Sequence, residues 1–409
     1  MTVLRSGELF AGVAGLGLAV SEVFGAEPAW FAEVDAAPSK ALAYHFPGVP
    51  NLGDVTKVDF RSVPHTHVRC GGFPCQDVST AGRRAGMKDG TRSGLWSEFR
   101  RSIREDRPDW VVIENVRGLL SADAAGDVEP CPLCVGDDPR HVLRALGAVL
   151  GDLAGLGFDA EWTGLRASEV GAPHGRFRVF ILAWPRERTA ADAAGRGRDG
   201  RARDQVRGEV GGAAASRGGG EPRLTLLPTP AVVQNDGESV ESWSARRERV
   251  KATGVNGNGM GMPLPIAVQL LPTPEAKLAG SGPDYARMSR DGSGGDDLTT
   301  TIWKNGLHHT TDWGPYTAAI RRWEDVVGRP APAPVRYDGK GGKPRLNPEL
   351  TEWMMGWPAG WVTDPAIGMS RAEQLKACGN GVVTLQAVAA LRELLARPGV
   401  PAVRIEAAA

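Results

Sequence analysis

Glu8-Leu9-Phe10-Ala11-Gly12-Val13-Ala14-Gly15-Leu16-Gly17 is the stretch that decides the fold. It reads as a strand running into a glycine-rich turn. The helical pattern Leu18 to Phe24 and the strand-like Ala29-Trp30-Phe31-Ala32-Glu33-Val34 follow it. Strand, glycine turn, helix and strand in that order begin an α/β fold with a parallel sheet. A glycine turn after the first strand lets a ligand approach the backbone closely, and an acidic residue ending the next strand can accept from ribose hydroxyls. Gly12 and Gly15 are the close-approach positions and Glu33 the ribose candidate. Such turns are common in α/β units, so this one needs company. A third polar position comes at Gly53-Asp54-Val55, where Asp54 could accept from an adenine amino group; residues 37–46 look helical.

Thr66-His67-Val68-Arg69-Cys70 is a further short strand, and Gly71-Gly72-Phe73-Pro74-Cys75-Gln76-Asp77-Val78-Ser79 follows it. Pro74 fixes its own φ and pushes Phe73 toward an extended conformation, so the approach to Cys75 is stiff. A lone cysteine is most often a packing residue. Glycines, a proline and a polar sequel around Cys75 instead suit a thiol presented at the mouth of a cleft, at a strand's carboxyl end where α/β ligand sites gather. Residues 79–95, with Arg83, Arg84, Lys88 and Arg92 among glycines, are too polar for core. They suit a loop that closes over an anionic substrate.

Asp109-Trp110-Val111-Val112-Ile113-Glu114-Asn115-Val116 has the apolar run of a buried parallel strand and ends in a carboxylate. Glu114 there either forms a structural ion pair or works. Cys131-Pro132-Leu133-Cys134 has only His141 near it, short of the four ligands of a structural zinc, so a plain reduced loop is preferred and no metal is expected. Residues 141–156 carry Val142, Leu146, Val149, Leu153 and Leu156 at helical spacing. A strand near 158–165 and a short helix near 167–170 lead to Gly171-Ala172-Pro173-His174-Gly175-Arg176-Phe177-Arg178, then to a buried strand at 179–183. On a strand Arg176 and Arg178 share a face, and they could hold a carboxylate, a phosphate or a polarised carbonyl; surface arginines are the plainer reading.

Residues 185–223 turn to Arg, Ala, Gly and Asp with little apolar content, the composition of a flexible linker. Leu226-Leu227-Pro228-Thr229-Pro230 recurs at 270–274, too short an echo for a repeat architecture. Residues 224–340, rich in Gly, Pro and Trp, are expected to make a small irregular domain. A helix punctuated by Pro348 and Gly356 restores order, and Cys378-Gly379-Asn380-Gly381-Val382-Val383 is expected to open a C-terminal helix with Leu385, Val388, Leu391 and Leu394 on one face. At 409 residues two domains are expected: 1–184 and 341–409 as one body, interrupted by the linker and by 224–340. Forty-eight basic residues balance 48 acidic ones, so any nucleic-acid surface must be local. Five irregularly spaced cysteines make no disulfide framework, and no apolar run would span a bilayer; an intracellular, soluble protein is expected.

Taken together, the turn from Phe10 to Gly17, Gly72-Phe73-Pro74-Cys75-Gln76, Glu114-Asn115-Val116, Arg176 with Arg178, and Gly379-Asn380-Gly381-Val382-Val383 resemble the DNA cytosine-C5 methyltransferases of bacteria and phages. The likeness covers residues 7–183 and 345–396. It implies a Rossmann-like, doubly wound domain that binds S-adenosylmethionine, without metal. Phe10 would lie against the adenine, Glu33 on the ribose and Asp54 at the adenine edge, with Gly12, Gly15, Val34, Pro74, Leu95, Asn380 and Val382 completing the cofactor set. Cys75 would attack cytosine C6, Glu114 would serve N3, and Arg176, with Arg178 beside it, the O2 side. Gln76, Ser79, Arg83, Arg84 and Asn115 would face the flipped base and the DNA, and 185–340 would correspond to the target-recognition region. Two departures stand out. Ala14 replaces a more usual glycine, which a negative φ would accommodate, and His174 stands where glutamine is more frequent. The implied partner is double-stranded DNA, with a companion restriction endonuclease possible in principle, a monomer as the expected state and the cytoplasm or nucleoid as the place. An RNA cytosine methyltransferase is the same-chemistry rival, and the large insertion argues for DNA.

Overall fold

The computed structural model describes residues 3–74, 95–120, 145–186, 270–279, 296–309, 312–339 and 341–403. All but residue 186 of these fall in one compact unit, residues 1–185 with 268–409. Its centre is a six-stranded sheet: β1 (Arg5–Leu9), β2 (Glu27–Ala32), β3 (Val68–Gly71), β4 (Trp110–Val116), β5 (Phe158–Arg166) and β6 (Phe177–Pro185). Spatial order is β2-β1-β3-β4-β6-β5. The pairs β1–β2, β1–β3 and β3–β4 are parallel, and β6 runs antiparallel to both β4 and β5. The doubly wound expectation therefore holds, with one reversed strand. That reversal matters for the site. It brings the start of β6 to the carboxyl end of β4, pairing Arg178 with Val116.

Alternating residues of β4 go to opposite faces, as the pleat requires. Val111 and Ile113 join Phe99 and Ile103 of α3 (Trp96–Asp106) and Val149 and Leu153 of α4 (Ala145–Gly155). Trp110 and Val112 join Leu16 and Val20 of α1 (Gly15–Phe24) and Leu391 of the C-terminal helix on the other face. Between β2 and β3 lies α2 (Ala36–His45), capped by Asp35, whose side chain accepts from Ala37 N–H.

The returning segments form a third cluster. It contains α5 (Leu298–Lys304), α6 (Thr317–Val327), the short antiparallel pair β7 (Val335–Arg336) and β8 (Arg345–Leu346), and α7 (Pro348–Met354). Trp323, Trp353, Trp357 and Trp361 are buried together there. Tyr316, Ile320, Trp323 and Val327 pack at helical spacing within a stretch expected to be irregular.

Two expectations are corrected. Cys378-Gly379-Asn380 does not open the C-terminal helix but forms the last turn of α8 (Arg371–Asn380); α9 (Thr384–Leu395) begins after it. The signal for α8 was present: Ser370 and Glu373 make a reciprocal capping box. Ala14 does not take a negative φ. It sits at φ 62°, ψ 28°, in the left-handed region, where a Cβ costs about 1–2 kcal/mol.

Candidate active site

The carboxyl ends of β1, β2, β3 and β4 open onto one cavity of about 420 Å³, at the point where the strand order reverses. After β1 the chain turns through Phe10 (φ 52°), Gly12 (φ 53°) and Ala14, and Phe10 N–H donates to Ala32 O at 2.8 Å. This curl aims Gly12 N–H at Glu33 Oε2, 2.8 Å away, while Asp35 N–H donates to Oε1 at 2.7 Å. Burial pushes the Glu33 pKa up, against the pull of those backbone donors. With Val34 N–H also acting on it, the carboxylate meets three backbone donors and keeps acceptor capacity for a further one. Val34 is 77% exposed, an apolar side chain left open at the cavity edge. Asp54 Oδ1 accepts from Thr56 N–H (3.0 Å) and Oγ1–H (2.8 Å), and these bonds hold its pKa low. Pro74, Leu95 and Asn380 also line the cavity. Gly15 and Val382 are not among its lining residues; they meet each other instead, a Cβ on Gly15 falling 2.7 Å from Val382 O.

Glu114 is buried, and Arg178 Nε lies 2.7 Å from its Oε1. Gly72 lacks a Cβ where one would lie 2.8 Å from Glu114 Oε2, so the carboxylate rests directly on the Gly72-Phe73-Pro74 approach. Asn115 ties the same two elements, its Nδ2 donating to Phe73 O at 3.2 Å. Glu114, Asn115, Arg176 and Arg178 all line the cavity. The two arginines differ in their partners. Arg176 donates from Nη1 to Gly379 O (3.0 Å) and Pro274 O (3.4 Å), and from Nη2 to Gly381 O (2.7 Å). Burial, then the neighbouring Arg178, pushes its pKa down to about 9, which leaves it charged at neutral pH. Arg176 thus holds backbone, and Arg178 is the guanidinium on the carboxylate. Cys75, Gln76, Ser79, Arg83 and Arg84 lie outside the described residues, as do Cys131 and Cys134.

His174 is fully buried and its pKa is pushed down to about 3 by burial. Nε2–H donates to Met354 O at 3.1 Å, and Nδ1 accepts from Arg176 N–H at 3.4 Å. One donor and one acceptor are what a glutamine amide would supply, so the departure at this position keeps the hydrogen-bonding function. Reading the sequence missed Asp35, Glu373 and Lys376, which also line the cavity. Lys376 Nζ and Asp35 Oδ2 pair at 2.6 Å across its rim. The available signal was spacing: Lys376 precedes Asn380 by four residues, about one helical turn. Glu8 was missed too. It is buried on β1, with Oε1 accepting from Gly17 N–H at 3.1 Å and Oε2 unpartnered.

Residues 4–199 match the family described as C-5 cytosine-specific DNA methylase. Among curated relatives, Type II methyltransferase M.NgoBV of Neisseria gonorrhoeae is 28% identical over 179 residues, 42% of this chain and 40% of that protein. Type II methyltransferase M.Eco47II of Escherichia coli is 37% identical over 176 residues, 38% of this chain and 41% of that protein. Type II methyltransferase M.HhaI of Haemophilus parahaemolyticus is 30% identical over 182 residues, 44% of this chain and 49% of that protein. The matched stretches span less than half the length of these relatives. No helix among the described residues is long and apolar enough to cross a membrane.

Proposed function

We propose that this chain is a sequence-specific DNA cytosine-C5 methyltransferase that uses S-adenosylmethionine. The observation that carries the reading is the Glu114–Arg178 pair at 2.7 Å, set against the approach to Cys75 and opening on the same cavity as Glu33. The cavity fits the cofactor: Phe10, Val34 and Val55 offer apolar surface, and Glu33 offers acceptor capacity beside the Gly12 turn. Glu33 would take the ribose hydroxyls and Phe10 and Val34 the adenine, while Lys376, paired with Asp35, puts a cation at the rim. S-adenosylmethionine supplies, when bound, an electrophilic methyl group on a sulfonium.

The chain's own residues do the rest. Cytosine C5 is a weak nucleophile until a thiolate adds to C6. An unperturbed thiol, pKa about 8.5, is mostly protonated at neutral pH, so Cys75 must lose its proton as it attacks. Its Sγ–C6 bond forms as the C5–C6 π pair shifts onto C5 and delocalises through C4 to N3, which makes C5 nucleophilic and N3 basic. Glu114 shares a proton with N3, and Arg178, fixed by Glu114, faces the O2 side in our assignment; Arg176 acts behind them by holding backbone. After C5 accepts the methyl group, it loses its proton, the C5–C6 double bond re-forms and the Cys75 thiolate leaves. The products are 5-methylcytosine, S-adenosylhomocysteine and a proton. A stacked base cannot be reached this way, so the cytosine must leave the duplex at a cost of a few kcal/mol. A companion restriction endonuclease belongs to the same reading, on the strength of the relatives' Type II names.

Duplex DNA in which fluorine replaces the C5 hydrogen tests the adduct, because fluorine cannot leave as the proton does. With S-adenosylmethionine the protein should accumulate a denaturation-resistant DNA adduct on the peptide containing Cys75. Absence of an adduct under conditions where ordinary DNA is methylated would overturn the Cys75 route.

A further inference from the structure

The two-strand ladder β7–β8 sets Arg336 directly opposite Arg345. Like charges facing each other across antiparallel strands destabilise the pairing. Both side chains are open to solvent, at 51% and 43% exposure. Arg371, the first residue of α8, adds a third guanidinium, its Nε donating to Leu346 O at 3.1 Å. Burial and then Arg345 push its pKa down, with Arg336 acting the same way and Asp338 opposing them. Asp338 serves both hairpin arginines, 3.6 Å from Arg336 Nε and 3.1 Å from Arg345 Nη2. Lys343 is exposed at the tight end of the hairpin, where its carbonyl accepts from Gly339 N–H at 3.0 Å. A Cβ on Gly339 would collide with that same oxygen, so the tight closure is built into the sequence.

The hairpin's described residues and Arg371 thus carry four cationic side chains against the one carboxylate of Asp338. The fold bears the cost of a like-charge pair and leaves the field unbalanced. A polyanion with closely spaced charges balances it, and guanidinium forks match phosphate oxygens in pairs. Arg371 also starts the helix whose Lys376 and Asn380 line the cavity, about 14 Å along the axis at its far end. We infer that the β7–β8 hairpin with Arg371 is a sequence-independent docking surface for the phosphate backbone of duplex DNA, an inference that rests on the methyl-transfer reading above.

The test is a salt series of duplex-DNA dissociation constants for the full chain, measured by fluorescence anisotropy on a specific and a scrambled duplex. Arg336→Ala with Arg345→Ala should weaken both complexes about equally and lower the slope of log K against log salt by about 1–2. Lys343→Glu, outside the ladder, should act in the same direction even if the double variant loses its fold. Asp338→Asn should tighten binding, although it removes a structural ion-pair partner. Arg392→Ala, on α9 and paired with Glu22, should leave the slope unchanged. Wild-type binding with an unchanged slope in the Arg336/Arg345 variant, or an Asp338→Asn that weakens binding, would overturn the surface and leave the methyl-transfer reading standing. Failure of the wild type to bind either duplex would sink both.

Discussion

Gly72 has no side chain because the carboxylate of Glu114 occupies the space beside it. Gly72→Ala should therefore displace Glu114 and cut kcat about a hundredfold, since a displacement of about 1 Å can cost that much. Little change in melting temperature is expected; equal activity would show that the contact is idle. His174→Gln should keep stability within about 1 kcal/mol, whereas His174→Ala strands Met354 O and Arg176 N–H in the core and should cost about 2–4 kcal/mol in urea unfolding. Glu8 gives a pH signature. Burial raises its pKa from 4.5 to about 8, so the folded chain keeps a proton that the unfolded chain releases. Its contribution is full below pH 4.5 and is lost as pH rises toward 8, amounting to at most about 5 kcal/mol. Stability of Glu8→Gln relative to wild type should climb over that window; a flat difference would refute the neutral carboxyl. At this scale the sequence was legible where strands end in polar residues, as Glu33 and Glu114 do. It was not legible at Ala14, whose φ is set by the curl through Phe10 and Gly12, nor in the different partners of Arg176 and Arg178, which depend on chain returning about 100 and 200 residues later.

Among the elements, the reversal of β6 puts the arginines at the working edge of the sheet, since a parallel strand would deliver its other end there. Periodicity and turn residues were enough to read β1 through β6, most plainly β4 and β6, whose central residues are apolar, buried runs. α8 escaped because Cys378-Gly379-Asn380 looks like a helix start, while the decisive capping box lies ten residues before Asn380, at Ser370. The segment 270–279 was hidden for a different reason: it has no period, and only packing places it. Leu271 N–H donates to Pro173 O at 2.8 Å, and a Cβ on Gly379 would overlap the backbone at Glu275 and Ala276. Gly379→Ala should thus push α8 and this segment apart and destabilise the fold by about 1–3 kcal/mol, read from the urea midpoint. An unchanged midpoint would mean the segment yields freely.

At the scale of the whole molecule, four strand ends, the reversed strand and the last turn of α8 converge on one cavity, so a ligand there should stabilise the entire unit. S-adenosylmethionine or its demethylated product at about a hundred times Kd should add about 2.7 kcal/mol to unfolding, and Glu33→Ala should remove most of that gain. A wild-type melting curve indifferent to both ligands would refute the cofactor assignment. The most direct measurement is bisulfite sequencing of unmethylated, sequence-diverse DNA after incubation with the protein and S-adenosylmethionine, with Cys75→Ser beside it. The expected result is 5-methylcytosine confined to one short motif and absent with Cys75→Ser. No 5-methylcytosine on DNA, or an equal yield from Cys75→Ser, would contradict the central claim.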